Sequence, residues 1–271
     1  MAAASRSRAA RPGRRTTTTI VVSLVVALVA ALGAGALFGA FGGAIGTAAT
    51  PTPTPTPTPR PEPASTPDPA PVDTFDRSAN SLDDPTSIWV VVNKLNPLEP
   101  ADFVPPDLVQ VPVAHTWVPE MRQEASDAIV AMFTAASEEA GLALASNSAY
   151  RSYDSQVSIY TGNDLLTARP GYSEHQTGLT MDIGAASGVC SLDVCLADTP
   201  EGVWLRDNAW RFGFILRYPA DKTEVTGYQF EPWHFRYVGT DLATEMHDTG
   251  VTTLEEFFGL PAAPEYPADQ G

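Results

Sequence analysis

The amino-acid sequence predicts an α+β fold: a single domain with a small antiparallel sheet flanked by helices. Residues 119–140 carry apolar side chains at spacings of three and four, which is the period of an amphipathic helix. Several shorter apolar segments lie between turn-forming residues, as strands do. Helices and short strands mixed in this order are typical of the α+β class.

The N-terminal 81 residues do not have the composition of a folded domain. Residues 1–19 carry five arginines and no acidic residue, and residues 20–42 are uncharged. A bilayer is crossed by about 20 apolar residues, so we predict a cytoplasmic basic segment followed by a transmembrane signal anchor. Cleavage after small residues, which releases a secreted form, is the alternative. The Pro/Thr-rich residues 43–81 are predicted to form an extended extracytoplasmic linker.

The rest of the chain, with a predicted domain at 82–261 and a predicted disordered tail at 262–271, is strongly acidic. Of 16 basic and 32 acidic residues, 6 basic and 2 acidic ones precede Asp73. The 10 remaining Lys and Arg therefore oppose 30 Asp and Glu. This charge argues against nucleic-acid binding, which requires neutralisation of phosphates. We expect the domain to act as a monomer.

The first half of the domain predicts two strands and two helices. The β-branched segment 88–92 predicts a strand, and the prolines after it forbid regular structure. A helix is predicted at 119–140, with Gly141 as its stop. Residues 142–152 predict a strand that ends in a polar turn, and residues 153–167 predict a weak helix.

The second half of the domain opens with a cleanly alternating strand at 178–183. Its residues Leu179, Met181 and Ile183 share the face expected to enter the core, and Asp182 lies on the other face. The remaining predicted elements are a helix at 201–213, a strand at 214–219, an aromatic-rich strand region at 228–239, a helix at 240–247, and a helix at 252–260 with Thr252 and Glu255 at capping-box spacing.

Two separate segments carry side chains suited to metal binding. His175 lies in a turn before the strand that carries Asp182, so a curl of the chain brings them together; alternatively, His175 is an ordinary turn residue. Glu231 and His234 face oppositely in an unbroken strand, but Pro232 between them permits a bend. The alternative is a surface glutamate beside an interface histidine. If the segments meet, they supply the ligand types of catalytic zinc and a general base.

The two cysteines, Cys190 and Cys195, stand close together in the chain. A disulfide is favoured because the anchor orientation places them outside the cell. In the chain-entropy model such a small loop contributes about 2 kcal/mol. Two cysteines with no nearby histidine are too few for a structural zinc site.

Four segments of the domain form a characteristic set: SAYRSYDSQ, ARPGYSEHQTGLTMDIG, NAWRFGFILRYP and GYQFEPWHFRYVG. Together, and in this order, they resemble the zinc D-alanyl-D-alanine carboxypeptidases of the VanY type, which trim the stem peptides of peptidoglycan. The family pattern S-x-H-x-x-G-x-A-x-D is matched, with Thr180 in place of the usual alanine. The family pattern E-x-W-H is matched in the last segment. The resemblance covers residues 88–239.

The resemblance implies roles for individual residues. Three are implied as ligands of Zn²⁺: His175, Asp182 and His234. Glu231 is implied as the catalytic base, and Arg151 as a contact to the scissile-bond oxygen or the substrate. Ser173 and Gln156 are implied as further substrate contacts.

The activity implied is hydrolysis of the C-terminal D-Ala of peptidoglycan stem peptides, outside the membrane. An L,D-carboxypeptidase or an endopeptidase with the same zinc site is the alternative, and an inactive cell-wall-binding module is an alternative of another class. A penicillin-binding-type serine peptidase is excluded, because it needs S-x-x-K. The domain's two lysines, Lys94 and Lys222, have Val91 and Pro219 three positions before them.

Overall fold

A computed structural model describes residues 74–267 of the 271-residue chain, and these residues form the predicted α+β fold. The predicted basic segment, the anchor and most of the linker lie outside the described residues. Among the residues described, no helix is long and apolar enough to span a bilayer.

Within residues 74–267, six short strands form two antiparallel sheets. The smaller sheet pairs β1 with β2, and the larger one has the order β3, β4, β6, β5. The register of the larger sheet places Asp182 of β4 directly opposite His234 of β6. The strands are β1 Leu108–Gln110, β2 Glu120–Arg122, β3 Leu144–Ser148, β4 Thr180–Ala185, β5 Phe214–Leu216 and β6 His234–Tyr237.

The longest of the described helices, α1, contributes its apolar face to the main core. Ile129 and Met132 of α1 are fully buried in one cluster with Leu179, Met181 and Ile183, so the core face predicted for β4 is confirmed. The α-helices are α1 Gln123–Ala140, α2 Tyr153–Ile159, α3 Pro200–Asn208, α4 Thr223–Thr226, α5 Thr240–Thr249 and α6 Leu254–Phe258.

The prediction of a strand at 88–92 is wrong. The segment is buried, but it pairs with no strand among the described residues. Its side chains alternate between two apolar clusters: Val90 and Val92 pack in the main core, whereas Trp89 and Val91 pack with α5 and α6. The apolar composition reflects burial on both sides, and periodicity alone does not distinguish such a segment from a strand.

Two predicted helices in the first half of the domain are shorter than expected. The helix predicted from residue 119 begins at Gln123, because residues 120–122 pair with β1, a strand that the sequence did not predict. Its predicted end is correct, since Gly141 closes α1 in the left-handed conformation with a φ of 67°. The helix predicted at 153–167 ends at Ile159.

The cap of α6 lies one residue later than predicted. Thr253, rather than Thr252, accepts a hydrogen bond from the backbone N–H of Glu256 at 3.2 Å. The Thr253 hydroxyl also donates to the Glu256 carboxylate at 2.9 Å. The shift leaves Glu255 free to point into the interior, where it is fully buried.

The folded part extends beyond the predicted boundaries of the domain. Phe75 stacks on Trp89 with ring centroids 5.7 Å apart. At the other end, the predicted disordered tail is wrong for residues 262–267, because they pack on the domain. Ala263 is buried, and the Lys94 ammonium donates to the backbone carbonyl of Pro264 at 2.9 Å.

Candidate active site

The structure brings the two metal-binding segments together at β4 and β6. His175 lies in a 3₁₀ turn, Glu174–Thr177, which Gly178 ends in the left-handed conformation. Asp182 and His234 face each other across the β4/β6 pair. The chain therefore curls as the sequence suggested and places His175 beside Asp182.

The spacing of the three predicted ligands fits one metal ion. Asp182 Oδ2 lies 3.3 Å from His175 Nε2, and Asp182 Oδ1 lies 3.4 Å from His234 Nδ1. One ligand atom from each residue lies within 4.8 Å of the others. Tetrahedral donors at bonds of about 2 Å lie roughly 3.3 Å apart, so these donors need only small movements to bind zinc.

The hydrogen bonds around these ligands also fit a metal. Asp182 Oδ1 is buried and has no hydrogen-bond partner among the described residues. His175 donates its Nδ1–H to the carbonyl of Ala149 at 2.7 Å, which leaves Nε2 with its lone pair free. Burial lowers the pKa of His175 and thus keeps the ring neutral. Catalytic zinc typically has three protein ligands, and a further coordination position is left for water or substrate. Two histidines and one aspartate are a ligand set of this kind.

His234 uses its nitrogens in the opposite way. Its Nδ1 faces Asp182, and its Nε2 lies 3.4 Å from Glu174 Oε2. Burial acts to lower the pKa of His234, but the neighbouring carboxylates of Asp182 and Glu174 outweigh it and raise the pKa to about 9. Metal binding at Nδ1 must therefore displace a proton near neutral pH.

Glu231 lies beside the predicted ligands, as the bend at Pro232 allows. The backbone N–H of His234 donates to the Glu231 carbonyl at 3.1 Å, which closes a turn and sets both side chains on one side. Glu231 Oε2 lies 3.6 Å from His234 Nδ1. Burial, reinforced by the charge of Asp182, raises the pKa of Glu231 to about 8. A carboxyl with such a pKa can both accept and release a proton near neutrality.

These side chains line a cavity of about 230 Å³. Arg151 and Ser173 also line it, and the side chains of Tyr218, Tyr228 and Trp233 form aromatic walls. The negative charges of the Asp182 and Glu231 carboxylates favour the positively charged form of the Arg151 side chain. The cavity therefore combines a cation, a raised-pKa acid and apolar walls, as expected for a site that binds a peptide.

Gln156 is placed differently from the other predicted substrate contacts. It is fully buried, its Oε1 accepts from Arg151 Nε at 2.6 Å, and its Nε2 donates to the Ala168 carbonyl at 2.6 Å. Both ends of the amide are thus used within the protein, and Gln156 positions Arg151. The direct substrate contacts of Gln156 and Ser173 stay predictions.

The predicted disulfide between Cys190 and Cys195 is confirmed, with a Cα–Cα distance of 5.5 Å. Leu192, inside the loop that it closes, lines the cavity. The two other histidines take no part in this cavity. His115 is exposed, and His247 stacks on Trp210 at 3.9 Å.

Sequence reasoning missed the buried charges behind the ligands. Glu174, Arg217 and Arg236 have fully buried side chains. The sequence contained an indication of them, because Arg217 directly follows the apolar strand β5 and Arg236 lies between two aromatic residues in β6. A buried charge in such a position requires a partner.

Comparisons with known proteins agree with this geometry. Residues 119–240 match the model of the VanY family, described as D-alanyl-D-alanine carboxypeptidase. The protein YodJ of Bacillus subtilis (strain 168) is 41% identical over 192 residues, which cover 66% of this chain and 69% of YodJ.

Two solved structures are also similar. The LD-carboxypeptidase LdcB is 42% identical, with a TM-score of 0.60, and the match covers 65% of this chain and 87% of LdcB. A mutant of the vancomycin-resistance D,D-pentapeptidase VanY from a VanB-type cassette, in complex with Zn(II), is 34% identical with a TM-score of 0.52. That match covers 62% of this chain and 97% of the VanY chain.

Proposed function

Because the chain belongs to the VanY family of D-alanyl-D-alanine carboxypeptidases, we propose that it removes the C-terminal D-Ala from peptidoglycan stem peptides. The family and its zinc-containing relative identify a zinc-type peptidase. The observation that carries the proposal is that the largely buried side chains of His175, Asp182, His234 and Glu231 meet in one cavity.

The side chains of the cavity fit peptide hydrolysis. His175, Asp182 and His234 would hold the zinc, which when bound supplies Lewis-acid polarisation and lowers the pKa of water. Glu231 takes the proton of the attacking water and passes it to the amine of the departing residue. Arg151, held by Gln156, stabilises the negative charge that develops on the scissile carbonyl oxygen.

An inactive wall-binding module is disfavoured by the same cavity. Such a module has no need to retain three ligands and a base, yet here all four side chains converge and are buried. The raised pKa of Glu231 also indicates a catalytic group. Burial of an acidic side chain costs stability, and a catalytic role is a reason for a protein to keep one buried.

The second candidate function is L,D-carboxypeptidase activity, which the similarity to LdcB favours. The two activities require the same zinc chemistry and differ in the residue that precedes the scissile bond. The walls of the cavity, rather than its ligands, would select between them.

Mass spectrometry of purified muropeptides distinguishes these functions. The enzyme is incubated with pentapeptide stems, tetrapeptide stems and cross-linked dimers, with and without a chelator. Shortening of pentapeptides alone supports the proposal, shortening of tetrapeptides supports L,D activity, and cleavage of dimers supports an endopeptidase. No cleavage of any of the three, with zinc bound, would overturn the enzymatic function.

We further propose that the domain works outside the cell membrane, held by residues 20–42 through the Pro/Thr-rich linker. The basic residues before the apolar segment and the Cys190–Cys195 disulfide support this location. Fractionation of cells tests it: the protein is expected in the membrane fraction, accessible to external protease. A mature protein that starts near Thr50 and is free in the medium would instead support the secreted form.

A further inference from the structure

Behind His234 lies a group of four buried ionised side chains, here named the charge cluster: Glu174, Arg217, Arg236 and Glu255. Each side chain is 0% exposed. Burial of charges carries a large desolvation penalty, and apolar replacements of similar volume are often neutral or stabilising. Stability alone is therefore a weak reason for this cluster.

The bonds within the charge cluster orient one oxygen atom. Glu174 Oε1 accepts from Arg217 Nε and from Arg236 Nη1, each at 2.9 Å. The two guanidinium groups hold this carboxylate from two sides. Its other oxygen, Oε2, is left to face His234 Nε2 at 3.4 Å.

The far side of the charge cluster is anchored in the C-terminal helix. Arg217 donates two hydrogen bonds to Glu255 of α6, at 2.9 and 2.7 Å. Asn93, next to the buried segment 88–92, also donates to Glu255 at 2.9 Å. Both Asn93 and Glu255 lie outside residues 119–240, which match the family model.

We propose that Glu174 is the positioning residue of His234. It accepts the Nε2–H of the imidazole, so that Nδ1, which faces Asp182, is the nitrogen that gives up its proton to the metal. A hydrogen bond from the second imidazole nitrogen is how proteins orient metal-binding histidines. The inference rests on the zinc site of the proposed function, and it adds a residue that holds the ligand without touching the metal or the substrate.

Glu255 provides a matched control for this role. Glu174→Gln and Glu255→Gln each remove one charge from the same buried cluster, and each replaces a charged partner of Arg217 by a neutral amide. Only Glu174 lies next to His234. If Glu174 positions the zinc ligand His234, the two variants should differ in zinc affinity. If the charge cluster serves stability alone, the two variants should have similar zinc affinities.

The experiment compares the full-length wild-type chain with both variants. Zinc affinity is measured by competition with a chelator, and stability by thermal unfolding of the metal-free protein. We expect Glu174→Gln to weaken zinc binding by about 10–100-fold. Glu255→Gln should unfold at a lower temperature than wild type but keep its zinc affinity within about threefold, since Arg236 still holds Glu174. Equal zinc affinity in Glu174→Gln and wild type, or equal losses in both variants, would overturn the proposal.

A measurement on the wild-type protein keeps the proposal testable even if Glu174→Gln does not fold. In the zinc-loaded protein, the ¹⁵N resonances of His234 should show a protonated Nε2 and a metal-bound Nδ1. Zinc bound through Nε2 would overturn this inference and leave the proposed function standing. A wild-type chain that binds no zinc would overturn both.

Discussion

The substitution Gly178→Ala is expected to destabilise the domain and to disturb the zinc site. Gly178 has a φ of +67°, and an added Cβ would lie 2.8 Å from Leu108 Cδ2 and 3.1 Å from Arg122 Cγ. The left-handed backbone costs an alanine about 1–2 kcal/mol, and overpacking costs about 1–3 kcal/mol. The free energy of unfolding should thus fall by about 2–5 kcal/mol, which lowers the unfolding temperature by about 4–20 °C.

The same substitution should weaken zinc binding through the turn that carries His175. The backbone N–H of Gly178 donates to the His175 carbonyl at 3.3 Å and closes this turn. The left-handed strain, together with the close contacts to Leu108 and Arg122, is therefore expected to shift the backbone of the turn that carries this predicted metal ligand. Chelator competition measures the change in zinc affinity, and thermal unfolding measures the change in stability.

Gly141→Ala is the matched control for Gly178→Ala. Gly141 has the same φ of +67°, but nothing lies within 4 Å of an added Cβ. Its cost is the backbone strain alone, about 1–2 kcal/mol, and its zinc affinity should equal that of the wild type. If the two variants unfold at the same temperature and bind zinc equally well, the reasoning about close packing at Gly178 is refuted.

The other predictions concern the ligands, the base and the disulfide. Asp182→Ala should lose the metal, and stoichiometric zinc in the purified variant would contradict its role as a ligand. Glu231→Gln should retain zinc while turnover falls about 10²–10⁴-fold; an unchanged rate would remove Glu231 from the mechanism. Because the pKa of His234 is raised to about 9, zinc displaces a proton below that pH, so the affinity measured by competition should rise with pH, by about tenfold per unit. A flat profile would contradict this. Reduction of Cys190–Cys195 should lower the free energy of unfolding by about 2 kcal/mol, seen as a lower unfolding temperature in reductant, and no shift would contradict it.

Local patterns in the sequence were sufficient for the elements that have a regular period. The alternation of β4 correctly separated its core face from the face of Asp182, and Gly141 marked the end of α1. These features depend on neighbours a few residues away, so they are readable from a single sequence. The prediction of a strand at 88–92 was wrong because a run of apolar residues indicates that a segment is buried, but it does not indicate whether the backbone pairs with another strand.

For the active site, the sequence by itself determined which residue types were present and, through the resemblance, the roles as ligands and base that are predicted for them. Only the tertiary structure decided that Asp182 and His234 pair across β4 and β6, and that Gln156 holds Arg151 from the interior. It alone revealed that Glu174 is held by two arginines and linked to α6. The physical reason is that the partner of a buried charge is selected by proximity in space, and contacts between distant parts of a chain leave no period in its sequence.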